Sequence, residues 1–172
     1  MIRRVIRSIV SVAVAALLVF GATSTALPES ITASPTIRYA TGTCTPTVTF
    51  ATPGDLAVTY GLQFCNYTVI GNRAFVSMRI ATASFTYTTA SGLIRIAGLP
   101  FAAASSSETL SAIFGGYTAV GYSQVAAETT SGQSYLQITA GGSGVAPTGI
   151  GSGQVASGGA LGIYVSGFYT IP

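Results

Sequence analysis

The stretch Cys65–Tyr87, CNYTVIGNRAFVSMRIATASFTY, decides how this chain is to be read. Val76, Met78 and Ile80 fall on one parity, and Phe75, Ser77, Arg79 and Ala81 on the other. That period of two is the one that sends successive side chains to opposite faces of a β-strand. Gly71–Asn72 interrupts the run with two residues that tolerate positive φ, as a tight hairpin requires. Phe85 and Tyr87 share the parity of Phe75, so the buried face is expected to change at a bulge near Thr82.

The same punctuation recurs on both sides. TPTVTF (Thr45–Phe50) leads to a turn at Pro53–Gly54 and then to AVTYG. Downstream, GLIRIAGLPF sets Ile94 and Ile96 inward with Arg95 between them. LSAIF, YTAVGYSQVAA and SYLQITA follow as strand candidates. LGIYVSGFYTI closes the chain, with Ile163 and Val165 on one face against Tyr164 and Phe168 on the other. Short, regularly spaced strands without a helical period predict an all-β fold, an antiparallel β-sandwich or jelly roll of about eight strands over residues 45–172. Residues 27–44, rich in Pro, Ser and Thr, read as a linker. The glycine-rich run between Ala140 and Ala160 is expected to be a long surface loop.

Residues 1–26 form a separate apolar segment. Arg3, Arg4 and Arg7 precede an uncharged run from Ile9 to Ala22, and Ser24 and Ala26 fit the small-x-small pattern of a cleavage site. The run is short for a membrane span, which needs about 20 residues. Two readings stand: a secretory signal, or a retained apolar helix or arm that docks into a partner protein.

Composition removes whole classes of chemistry. Only 6% of residues are charged, histidine is absent, and so is lysine. The usual general base, the Schiff-base amine, the phosphate-loop lysine and the commonest metal ligand are therefore missing. From Leu27 onward, Arg38, Arg73, Arg79 and Arg95 balance Glu29, Asp55, Glu108 and Glu128. A nucleic-acid groove needs clustered cations, and these are scattered, so no nucleic-acid partner is expected. No catalytic residue, cofactor or metal is expected either. Asp55, Glu108 and Glu128 are the acids available for a glycoside-cleaving pair, but Glu108 and Glu128 sit in Ser/Thr-rich turn sequence, where solvation is the ordinary explanation.

Other motifs carry less. GSGQVA (Gly151–Ala156) matches a dinucleotide-binding spacing but lacks the acidic residue that should follow about 20 positions later, so it reads as loop glycine. NYT (Asn66–Thr68) is a glycosylation sequon without meaning in a bacterial host. Tyr60, Tyr87, Tyr117, Tyr122 and Tyr135 are expected in core or subunit packing, ahead of sugar stacking. Cys44 and Cys65 are the only cysteines. In an exported chain they are expected to form one disulfide, worth about 3 kcal/mol. In a particle assembled in the cytoplasm they are two buried thiols. Two cysteines are too few for a metal site.

Taken together, TPTVTF, YTVIGNRAFVSMRI, IRIAGLPF and the closing IYVSGFYTI resemble a β-sandwich module of bacteriophage virion proteins, found at the C-terminal ends of tail fibres and in other appendages. The resemblance covers roughly Thr45 to Pro172. It implies a homotrimeric β domain on the particle surface, used for host attachment or for decorating the capsid, with no catalytic residues to carry over; for attachment, the expected partner is a host-surface glycan. A signal peptide departs from that pattern, because such proteins assemble in the host cytoplasm, and the glycine-rich run looks longer than usual. The expectation is thus a phage virion structural protein anchored to other virion proteins through residues 1–26. The alternative is a secreted bacterial β-sandwich, exported by an N-terminal signal and binding carbohydrate.

Overall fold

A computed structural model describes residues 38–172, apart from 106, 119, 120 and 143. The segment expected as a helix or arm over 1–26, and the start of the 27–44 linker, lie outside the described residues. Ten strands follow in order: β1 (Tyr39–Thr43), β2 (Thr47–Thr52), β3 (Ala57–Ile70), β4 (Arg73–Thr86), β5 (Ser91–Ala97), β6 (Thr109–Gly115), β7 (Gln124–Thr129), β8 (Tyr135–Gly142), β9 (Val145–Gly149) and β10 (Gly162–Thr170). All pair antiparallel in one sheet of order β1-β3-β4-β10-β6-β7-β8-β5-β2, with β9 added beside β8.

The all-β antiparallel expectation holds, but the layering differs. There is one continuous curled sheet, a half-barrel, where two packed sheets were expected, and ten strands where about eight were. The reason lies in a short connection. β1 and β2 occupy opposite ends of the nine-strand path, yet only Cys44, Thr45 and Pro46 separate them. Laid flat, neighbours roughly 4.8 Å apart would put the end strands nearly 40 Å from each other. The connecting residues reach about 14 Å at most. The sheet must therefore roll until its ends meet.

Side chains hold the seam where they meet. Cys44 and Cys65 are joined as a disulfide with Cα atoms 5.0 Å apart, and the Cys44 N–H donates to the Cys65 carbonyl at 3.1 Å. The Gln63 amide donates to the Pro46 carbonyl at 2.8 Å. The Val48 N–H donates to the Tyr60 hydroxyl at 2.9 Å. Because these last bonds are made by side chains instead of a ladder, the sheet closes upon itself without becoming a full barrel.

The β3–β4 hairpin is the longest element, and its details follow the sequence. Ile70 faces Arg73 across Gly71–Asn72. Only Gly71 takes positive φ, at 62°, the pattern of a II′ turn with glycine at its first central position. Val76, Met78 and Ile80 are buried, while Phe75, Ser77 and Arg79 face out. The register slips at Gly61 on β3 and at Ala83 on β4, and burial passes from Thr82 to Phe85 at that point. Buried Thr82 accepts the Leu161 N–H on its hydroxyl at 2.8 Å. Phe85 then packs with Phe50 and Tyr87, ring centroids 5.7 and 5.6 Å away. Burying such side chains contributes about 1.5–3 kcal/mol each before the entropy of ordering them is counted.

Two expected loops carry structure. Tyr39–Thr43, inside the expected linker, pairs along β3 from Ile70 to Asn66. The glycine-rich run forms β9, which folds back on β8, and it buries Ile150 and Val155 in the core. Glycine serves close approach here: a Cβ on Gly142 would lie 2.0 Å from the Gly121 carbonyl oxygen. The Tyr87 hydroxyl donates to the carbonyls of Ser152 (2.7 Å) and Val155, fastening the run to the aromatic cluster.

Asp55 clasps the β2–β3 turn to the β4–β5 turn. Its carboxylate accepts the N–H groups of Thr88 (2.9 Å), Thr89 (2.7 Å) and Ala90 (3.3 Å), and the hydroxyls of Thr88 and Thr89. The Thr88 hydroxyl, then the Thr88 and Thr89 N–H groups, hold its carboxyl well below the usual carboxylate range.

Two measurements test this account. Reducing the Cys44–Cys65 bond, or replacing both residues with alanine, lowers unfolding stability by about 3 kcal/mol in urea titrations, because the bond closes a long loop in the unfolded chain. An unchanged midpoint would show that the seam holds without it. For Asp55 the folded value is depressed, so its contribution is complete above the unfolded value of about 4 and is lost as pH falls below that. Asp55→Asn is therefore less stable at neutral pH and loses less stability between pH 5 and 3 than the unsubstituted chain; parallel pH profiles would refute the clasp.

Candidate functional site

The hairpin turn that sets Ile70 opposite Arg73 also sets Phe64 opposite Arg79 and Asn66 opposite Ser77. β10 lies along the other edge of β4, with Tyr164 opposite Arg79, Ser166 opposite Ser77 and Phe168 opposite Phe75. β6 continues these rows with Ile113 opposite Tyr164 and Ser111 opposite Ser166. All these side chains point away from the core. Three rows thus cross the strands: Phe64–Arg79–Tyr164–Ile113, then Asn66–Ser77–Ser166–Ser111, then Thr68–Phe75–Phe168. Adjacent rows lie roughly 6.7 Å apart, two residues along a strand.

Ser77, Ser166 and Ser111 of the middle row line a groove of about 460 Å³ together with Leu62, Phe64, Arg79, Ile113 and Tyr164. Ile113 is 67% exposed, and Phe64, Tyr164 and Phe168 are each 44% exposed. Arg79 lies over the Tyr164 ring, 4.9 Å from its centroid, and Arg73 over Phe168 at 4.7 Å. Such stacking is worth about 0.5–1 kcal/mol at exposed sites. It keeps both guanidinium groups beside the aromatic rings of β10. Among the described residues neither has a hydrogen-bond partner.

The rest of the outer surface has another character. Among the described residues, every large apolar side chain that is exposed (Tyr39, Leu62, Phe64, Ile70, Phe75, Ile113, Tyr164, Phe168) belongs to β1, β3, β4, β6 or β10. On the other half, the row Thr49–Arg95–Gln137–Glu128 is polar throughout. Single exposed apolar residues are ordinary, whereas a contiguous set marks a contact surface.

The acids singled out in the sequence lie elsewhere and are engaged by the chain itself. Asp55 is the turn clasp. Glu108 accepts the Thr170 hydroxyl at 2.6 Å and the Thr170 N–H at 2.8 Å. Burial pushes its carboxyl up, but the Thr170 bonds, the Ser105 hydroxyl and the nearby Arg73 charge outweigh that and hold it below its ordinary range. Glu128 accepts the Thr139 hydroxyl at 3.2 Å. Among the described residues, no group of three or more His, Cys, Asp or Glu side chains is placed to hold a metal. Gly151–Ala156 makes a single 3-10 turn, Ser152–Gln154, and buries Val155.

The tyrosines divide. Tyr60 and Tyr87 pack on the core, Tyr117 stacks on Phe114, and Tyr135 lies under Arg95. The outward-facing set is Phe64, Phe75, Tyr164, Phe168 and Ile113. Parity had placed Tyr164 and Phe168 opposite the buried residues of the last strand, but Phe64, Ile113 and the two arginines were not read as part of one surface. The turn register would have paired Phe64 with Arg79; the placement of β10 and β6 beside them has no local signal.

No protein-family model matches the chain, and no curated protein matches it. Its fold is similar to that in the crystal structure of the Dettilon tailspike protein (gp208), a phage tailspike, with a TM-score of 0.56 and 19% identity. The match covers 77% of this chain and 24% of the tailspike chain, so this chain corresponds to about a quarter of that protein. The likeness is one of fold.

Proposed function

We propose that this chain is a phage virion protein of the appendage kind, acting by shape and contact and not by catalysis. The observation that carries this reading is the segregation, among the described residues, of the exposed large apolar side chains onto one half of the outer sheet face. The fold likeness to a tailspike supports the phage assignment. The engagement of Asp55, Glu108 and Glu128 by Thr88, Thr170 and Thr139 supports the non-catalytic one. In this reading residues 1–26 join the chain to other virion proteins, and several copies assemble, either as the homotrimer that the sequence resemblance implies or as a pair. Its external role is attachment to the host surface, with a glycan as the ligand class, or stabilisation of the particle as a capsid decoration.

A second reading, a secreted carbohydrate-binding β protein, is favoured by two observations. The Cys44–Cys65 disulfide suits an oxidising compartment, and the basic, apolar N-terminus suits export.

Mass spectrometry of purified virus particles separates the two. The expected result is this chain in the particle with residues 1–26 intact, and immunolabelling at the tail, not the head, for an appendage. A chain absent from particles and beginning at Leu27 in culture supernatant would overturn the virion assignment.

A further inference from the structure

The outer face of β1, β3, β4, β10 and β6 needs an occupant. We propose that it is covered by the same face of a second copy of this chain, paired about a two-fold axis that runs across the strands between the Arg79 row and the Ser77 row. The proposal rests on the reading of the chain as a contact protein and names the partner of that surface.

Area and composition come first. The eight exposed apolar side chains are between 38% and 69% open. With about 150–250 Å² for a whole aromatic side chain, they present on the order of 700 Å². That exceeds the few hundred Å² a monomer ordinarily leaves open and approaches one partner's share, about 800 Å², of a stable interface. The face combines aromatic residues with arginine, and its outward positions include no lysine, aspartate or glutamate. Interface cores have this composition. A sugar chain would cover a ring or two and leave most of the area in water.

The row pattern identifies a second copy as the occupant. Rotation about the stated axis keeps each strand over its own counterpart and reverses its direction. Arg79 then lies over the other copy's Ser77, Tyr164 over its Ser166 and Ile113 over its Ser111. One step outward, the same rotation lays Phe75 over Ala81 and Phe168 over Gly162, which share the next row with Leu62. Large side chains meet small ones at each of these positions. The two Arg79 groups stay offset from each other, and each guanidinium, stacked on Tyr164 but without a hydrogen-bond partner among the described residues, reaches serine hydroxyls that accept its hydrogen bonds. Ridges and grooves that interchange under one rotation are what a two-fold interface requires.

The test uses the full-length chain in analytical ultracentrifugation and light scattering over a range of concentrations. The expected species is a pair of copies. Ser111→Tyr, which fills the groove where the other copy's Ile113 would sit, weakens pairing by about tenfold to a hundredfold, while Thr49→Tyr on the polar half leaves it unchanged. A second measurement does not depend on weakened binding: copies carrying Ile113→Cys, mixed with copies carrying Ser111→Cys, cross-link to each other faster than to themselves. A monomer at all concentrations, an assembly insensitive to Ser111→Tyr, or cross-linking without preference for the mixed pair overturns the proposal. So does a three-copy assembly. A monomer that is nevertheless found in virus particles would remove the pairing and leave the virion reading standing.

Discussion

The structure depends on a connection of three residues. Cys44, Thr45 and Pro46 carry the chain from β1 at one end of the sheet to β2 at the other. No flat sheet can satisfy that distance, so the roll is imposed by chain connectivity, whatever the packing preferences of individual strands. The disulfide, the Gln63–Pro46 bond and the Val48–Tyr60 bond act at the same seam. They fix in place a curvature that the connection already demands.

Curling separates two environments. The inner face receives Phe50, Ile80, Ile94, Ile96, Leu136, Ile138 and Ile163, all essentially inaccessible. The outer face is left in water, and there strand order decides composition. β4 and β10 lie side by side, so their outward residues merge into rows, and β3 and β6 extend those rows on either side. These rows are thus a product of four strands drawn from three distant parts of the chain. Their apolar character against the polar remainder is the observation on which the proposed contact role rests. The carboxylates serve the fold: Asp55 joins two turns, and Glu108 holds the last strand at Thr170.

Much of this was legible along the chain. A hairpin turn at Gly71–Asn72 makes each β3 partner follow by counting: Ile70 with Arg73, Asn66 with Ser77, Phe64 with Arg79. The parity change between Ile80 and Phe85 announced the bulge at Ala83. These are local facts, because neighbours in a hairpin are neighbours in sequence and a period of two assigns each side chain a face. The glycine-rich run misled because its order comes from distant partners. β8 pairs with β9, the core accepts Ile150 and Val155, and Tyr87 bonds to two of its carbonyls.

By itself the sequence determined the all-β character, the inward and outward parity of β4, β5 and β10, the β3–β4 register, and the lack of histidine and lysine that argues against most catalysis. Tertiary structure alone decided that the strands form one rolled sheet and that β10 enters between β4 and β6. It also decided that Arg79, Tyr164 and Ile113 stand in a single row. The physical reason is that periodicity records which face a residue occupies. It carries no record of which distant strand will supply the hydrogen bonds on either edge, and that choice is made only when the whole chain closes.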